Sequence, residues 1–416
     1  MMHTTDLDRA IWQHRTTQAT LTVTHHGAPL IGQDIVVQQR RHRFLLGANW
    51  GERTLAWTNG ELTGLEKDLA ERRNTHFLQL FNQVTLPFYW GRFEAQRGQP
   101  QTDRIRNCAR WYQARGCVVK GHPLCWHTLA PDWLLPLDNR AILQAQIARI
   151  QRDMSDFAGL IEMWDVVNEA VIMPIFDRYD NGLTRICKDL GRIELIRTMF
   201  DTARATNPHA TLLLNDFDVS PAYDILVEGC LAAGIQIDVI GIQSHMHQGY
   251  WGVERTQAVL DRFARFNKPI HFSENTLVSG HLMPPEIVDL NDYQISDWPS
   301  TPEGEARQAE EAVLHYKTLL AQPLVEAITW WDISDGHWLN APAGLLRRDE
   351  TPKPAYDELL KLVKGDWWLS PTTFTTDDHG QLTFTGFLGE YDLSVGKQTV
   401  RFTIDEKGAA QVTIDL

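Results

Sequence analysis

The chain has 416 residues, 43% of them hydrophobic and 22% charged, which suits one large globular unit with small additions. Its formal net charge of −14 argues against nucleic acid as a partner, because a phosphate backbone calls for a basic surface. No apolar run approaches the roughly 20 residues that span a bilayer, so no membrane segment is expected.

Residues 1–18 are polar and lack the apolar stretch of a secretory signal, so a cytoplasmic location is expected, with secretion after removal of a signal peptide as the alternative. Residues 1–42 read as a β-hairpin beside the first strand of the main fold. Strand patterns at 20–24 and 34–38 flank a turn at Gly27-Ala28-Pro29. From residue 43 to 365, strand-like and helix-like patterns alternate. The strand-like runs cover 43–50, 75–82, 116–126, 161–169, 210–217, 237–245, 269–275 and 326–335. Most are continuously apolar, as parallel strands buried on both faces must be. Helical patterns over 62–73, 103–115, 140–157, 192–206, 222–234, 253–266 and 304–321 fill the gaps, and one over 354–363 follows the eighth run. Thr102-Asp103, Asp138-Asn139 and Ser220-Pro221 carry helix-start signals. Eight strand–helix units in order predict an α/β fold, a (β/α)8 TIM barrel. The connection 276–301 is long and proline-containing, as active-site loops on barrels are. Residues 366–416 change to short alternating strands at 382–384, 391–395, 399–404 and 411–414. They predict a small all-β appendage, read as a structural flap, with carbohydrate binding as the alternative.

The five cysteines (Cys108, Cys117, Cys125, Cys187 and Cys230) are odd in number and hold no CxxC pair. Buried thiols are expected rather than disulfides. Fifteen tryptophans is a high count; most are expected to fill core, and about a third to line a site, since aromatic faces suit the C–H faces of sugars.

Two stretches carry the chemistry. Trp164-Asp165-Val166-Val167-Asn168-Glu169 and His271-Phe272-Ser273-Glu274 are apolar strand-like runs that each reach a glutamate. In a closed barrel the C-terminal strand ends converge on one face. Two carboxyls there, one to protonate a leaving oxygen and one on the sugar's opposite face, are the minimal apparatus for glycoside cleavage. The carboxyl that gives the proton must then be the more basic of the two. Gln243 and His245 stand two apart, hence on one face of their strand. His245 and His247 have no third ligand at sensible spacing, so no metal is expected, and no nucleotide or flavin signature calls for a cofactor.

With those residues in place, the chain resembles glycoside hydrolase family 10, the family of many endo-β-1,4-xylanases. The resemblance runs from about Gly47 to Leu362. It rests on Phe81-Asn82-Gln83-Val84-Thr85, Trp90-x3-Glu94-x3-Gly98, Gly121-His122-Pro123-Leu124-Cys125-Trp126-His127, Trp164 through Ala170, Leu214-Asn215-Asp216-Phe217, Ile240 through His245, and Trp331-Asp332-Ile333-Ser334-Asp335. It implies a retaining hydrolase of β-linked xylan or xylo-oligosaccharides, with Glu169 as acid/base and Glu274 as nucleophile. It further implies that Asn168 and His127 hold the sugar at the cleavage point and that Gln243 and His245 support the nucleophile. Trp331 would form the floor there, and Trp126, Asn82, Tyr89 and Trp338 would complete the sugar-binding set. The expected partner is an oligosaccharide or polysaccharide.

Two departures stand out. Where the family carries a Glu-Asn pair and a lysine before the tryptophan, gripping the non-reducing side of the sugar, this chain has Leu86-Pro87-Phe88-Tyr89 and then Trp90. The nucleophile context reads Ser273-Glu274-Asn275-Thr276 instead of Thr-Glu-Leu-Asp. A polar grip has become apolar, which leaves open a non-xylan β-glycan, or a binding or transglycosylating protein that hydrolyses weakly.

Overall fold

The computed structural model describes residues 4–405, 408 and 410–416. Barrel strands one to eight are Leu45–Asn49, Gln83–Pro87, Val118–His122, Met163–Asn168, Thr211–Asp216, Val239–Met246, Ile270–Leu277 and Val325–Trp330. All neighbours pair in parallel, and strand eight closes the ring on strand one. Helices fill the connections, so the predicted barrel is the observed fold. Strands five to eight are buried almost throughout, which explains their unbroken apolar sequence. Asp138 and Ser220 cap their helices as expected, accepting from Ala141 N at 2.7 Å and Ala222 N at 3.2 Å.

Strand two is misplaced in the sequence reading. Residues 75–80 are the last turns of the helix Gly64–Leu80, and the strand begins at Gln83. The apolar residues there fit a helix as well as a strand. Phe77 and Leu80, three apart, face inward, and the Phe77 ring packs on Phe81 and Tyr112.

The two ends of the chain correct the reading further. A helix, Thr4–Arg15, precedes the first strand and was not expected. The strands Thr16–His25 and Asp34–His42 do not pair with each other as a hairpin. The first folds back only onto Ala28–Pro29, then pairs with Gln381–Phe387 and, in parallel, with Ala410–Asp415. The second lies in another sheet, between Thr372–Thr375 and Gly389–Val395, with Gln398–Ile404 at the edge. Both N-terminal strands alternate, with Leu21 and Val23, and Ile35 and Val37, on their apolar faces. A hairpin lying alone would bury neither face. Instead the two sheets close on each other around those four residues and Leu382, Phe384, Tyr391, Leu393, Phe402 and Ile414. The flap is thus part of a β-sandwich in which the N-terminus supplies a central strand to each sheet. Arg15 ties it to the bottom of the barrel by donating to the carbonyls of Leu320 (2.8 Å) and Val325 (2.8 Å). All five cysteines are buried and free.

Candidate active site

Glu169 and Glu274 sit at the C-terminal mouth of the barrel, opposite the sandwich. Glu169 follows strand four directly, with a left-handed backbone (φ 56°), and its N–H donates to the carbonyl of Asn215 at 2.8 Å. Only a few per cent of non-glycine residues adopt this conformation, and it turns the chain sharply at the strand end. Glu274 lies inside strand seven, which runs on to Leu277. A register shift between Phe272 and Glu274 sets Glu274 opposite Gln243 of strand six.

Glu169 accepts from Trp126 Nε1 at 2.8 Å, Asn168 Nδ2 at 3.2 Å and Gln243 Nε2 at 3.5 Å. Burial pushes its pKa up, the Trp126 bond opposes, and the charges of Glu274 and Asp216 push further, leaving it at about 8. Glu274 accepts from Asn215 Nδ2 at 2.9 Å and meets His245 Nε2 at 3.2 Å, with His122 Nε2 at 3.9 Å. Burial alone would push this carboxyl up too. The charge of His122 and the hydrogen bond and charge of His245 outweigh it and hold Glu274 below the ordinary carboxylate range. At neutral pH one glutamate is therefore a proton donor and the other an anion.

Asn215 joins the two. Its Nδ2 also donates to Asn168 Oδ1 at 2.8 Å, and Ser273 Oγ donates to its Oδ1. Gly241 makes the room, since a Cβ there would lie 2.4 Å from Asn215 Oδ1. Behind Glu274 a buried chain continues. His122 Nδ1 meets Asp165 Oδ2 at 2.7 Å, and Lys120 Nζ meets the same oxygen at 2.9 Å. Burial opposes ionisation of Asp165, but Lys120 and His122 prevail and hold it at about 2. Asn215 and Asp165 lie in the family motifs, but the sequence assigns them no place in the site, and His122 only a place at the rim. The polar pair Asn215-Asp216 ending the apolar Leu212-Leu213-Leu214 was the available signal.

The other expected residues divide. Trp126 and Asn168 touch Glu169. Gln243 is displaced from its expected partner: its Nε2 donates to Asn168 Oδ1 (3.1 Å) and Glu169, not to Glu274. His245 does meet Glu274. His127 is buried against Phe176, held neutral by burial at about 4, and its Nδ1 has no hydrogen-bond partner among the described residues. Trp331, 6% exposed, meets His122 edge-on at 5.3 Å. Trp338 meets His245 edge-on (4.6 Å between centroids) and donates from Nε1 to Asn291 Oδ1 at 3.1 Å. Tyr89 faces the mouth, while Leu86 and Phe88 are core. Asn82 is not in the site. It stands at the start of strand two, the far end of the barrel. There its Nδ2 donates to the carbonyls of His42 and Phe44, and its Oδ1 accepts from Leu46 N. The misplaced strand had put it at the mouth.

Among the described residues, no group of three or more His, Cys, Asp or Glu could hold a metal ion, and no helix is long and apolar enough to cross a membrane.

Endo-1,4-beta-xylanase A of Cellvibrio japonicus is 30% identical over 286 residues, 61% of this chain and 46% of that protein. Endo-1,4-beta-xylanase C of Paenibacillus barcinonensis is 25% identical over 320 residues, 67% of this chain and 28% of that protein. The chain therefore spans less than half the length of these two curated relatives. Native xylanase 10B from Thermotoga maritima shares the fold, with a TM-score of 0.63 at 21% identity, over 78% of this chain and 96% of that one. The model of glycosyl hydrolase family 10 matches residues 55–362, and the chain belongs to that family.

Proposed function

We propose that the protein is a retaining glycosidase that hydrolyses β-1,4-linked xylo-oligosaccharides or a closely related β-linked glycan. One observation carries the reading: two buried glutamates share the barrel mouth, and their surroundings drive their protonation apart. The printed names of the relatives supply the sugar class.

In the first step a Glu274 oxygen attacks the anomeric carbon as the bond from that carbon to the leaving oxygen breaks. Glu169 gives its proton to that oxygen, and a glycosyl ester of Glu274 remains. In the second step Glu169, now ionised, takes a proton from water. The hydroxyl adds to the anomeric carbon, the ester breaks, and Glu274 is regenerated as the anion. Asn215 and His245 hold Glu274 for the first attack. Trp126 and Gln243 aim Glu169, and Trp331 lies under the sugar. Asn168, bonded to Asn215 and Gln243, and His127, with its unpartnered ring nitrogen, remain to meet sugar hydroxyls.

The test is mass spectrometry and NMR of products from β-linked oligosaccharides led by xylohexaose, beside Glu169→Ala and Glu274→Ala. Hydrolysis with retained anomeric configuration, lost in both variants, is expected. Cleavage confined to another sugar would move the substrate assignment. Binding without turnover would overturn the hydrolase.

A further inference from the structure

A saccharide lying across Glu169 and Glu274 has two ways out of the barrel mouth. One passes over the loops that follow strands eight, one, two and three. The other passes over the loops that follow strands four to seven.

The first way is bordered by rings in contact. Trp331 meets Trp50 edge-on at 6.2 Å between centroids, Trp50 meets Tyr89 at 5.7 Å, and Tyr89 meets Trp126 at 5.5 Å. Separations of this size are van der Waals contact between aromatic rings and leave no passage between them. Tyr89, the centre of the row, is fixed from behind. Its ring stands edge-on to His122 at 5.7 Å, and the Arg92 guanidinium lies over it at 5.9 Å. Phe88 N donates to the His122 carbonyl and Gly91 N to the Leu129 carbonyl, both at 2.6 Å. A Cβ on Gly91 would lie 2.7 Å from that Leu129 oxygen, so the loops after strands two and three meet where only glycine fits. The row also abuts both carboxyls, since Trp126 is bonded to Glu169 and His122 stands between Tyr89 and Glu274.

The second way is spanned differently. Arg178, in the loop after strand four, reaches Asp292 (2.8 Å) and Asp289 (3.0 Å) of the loop after strand seven. These side chains are a third or more exposed, so water screens the pair and it can open.

We infer that the aromatic row ends the substrate site one sugar beyond the scissile bond, so that this enzyme removes the terminal residue of a β-linked chain and does not cut within it. The inference rests on the glycosidase reading. Residues 86–89 stand where the family resemblance implies the grip on the non-reducing side, so the residue removed is the non-reducing one, released as a monosaccharide. Tyr89 is the specificity-determining residue.

Xylohexaose labelled at its reducing end tests this. The first products expected are unlabelled monosaccharide and labelled pentamer, with monosaccharide about tenfold over disaccharide at early times. A second substrate, blocked by O-methylation at the terminal non-reducing 4-hydroxyl, should be turned over at least about tenfold more slowly, because the row leaves no space for the added group. Tyr89→Ala and Trp50→Ala should each release di- and trisaccharide early and accept the blocked substrate. Di- and trisaccharides as first products of the unaltered enzyme would overturn the inference and leave the glycosidase standing. So would unimpaired turnover of the blocked substrate, or a labelled monosaccharide. Both of these wild-type measurements stand even if a variant fails to fold. No turnover of either substrate, of an aryl β-xyloside or of any other β-linked oligosaccharide of the panel would overturn the glycosidase reading and the inference with it.

Discussion

Glu169 and Glu274 are the same residue at the same end of one barrel, and both are withdrawn from water. Their neighbours differ in kind. Glu169 is held by an indole and two amides, which carry no charge, and it faces the carboxyls of Asp216 and Glu274. Glu274 is held by an amide and faces two imidazoles. Burial favours the neutral acid at both positions, so burial cannot separate them. The contrast lies in which neighbours can bear positive charge. A neutral donor orients a carboxyl, whereas an imidazole also stabilises its ionised form.

The comparison can be broken at either glutamate. Glu274→Ala removes the attacking group, and kcat should fall by about 10⁴ or more on every glycoside, activated or not. Glu169→Ala should cost about 10²–10⁴ on an alkyl or sugar leaving group, and much less on a nitrophenyl one that departs without a proton. Equal losses on the two leaving groups would remove the acid role from Glu169.

The pH profile sharpens the contrast. Activity needs Glu274 ionised and Glu169 protonated, so the rate should fall above about pH 8 and again only below the ordinary carboxylate range near 4.5. His245→Ala removes an imidazole from Glu274. It should move the acid limb upward and lower the neutral-pH rate roughly tenfold, without moving the alkaline limb. A shift of the alkaline limb alone would mean that His245 serves Glu169.

The smallest effect is on stability. The folded-state pKa of Glu169 is raised from 4.5 to about 8, so the folded form binds its proton more tightly than the unfolded form. That contribution is complete below pH 4.5 and is lost as pH rises through about 8. Glu169→Gln has no proton to lose, so its Tm should exceed that of the parent by a few degrees near pH 8, on the order expected for 1–2 kcal/mol in a chain this long, and converge with it at low pH. Parallel melting curves at both pH values would show that Glu169 is not strained by ionisation.

The site was legible where polar residues break out of apolar strands. Glu169 ends such a run, and Glu274 interrupts one. Asn82 misled because Phe77, Leu78, Leu80 and Phe81 satisfy strand and helix spacing alike. The helix won by burying Phe77, against Phe81 and Tyr112, and Leu80. Asn215 and His122 act through partners on other strands, and no local pattern states such partners. The aromatic row was visible only as single tryptophans and a tyrosine far apart in the chain. The sandwich was half legible for the same reason. Alternation announces each strand, but the partner of Leu21 is Leu382, and that distance carries no local signal.

That pairing also sets an order of events during synthesis. The strand Thr16–His25 leaves the ribosome before the barrel, and its partners, Gln381–Phe387 and Ala410–Asp415, leave after it. At about 5–20 residues per second, the apolar faces of Leu21, Val23, Ile35 and Val37 wait for tens of seconds while the barrel emerges. Only the closed barrel brings residues 42 and 366 near each other and so makes the final pairing a short-range search. A nascent chain stalled after the barrel would therefore carry two unmated strands with open edges, the form most prone to join a neighbouring chain.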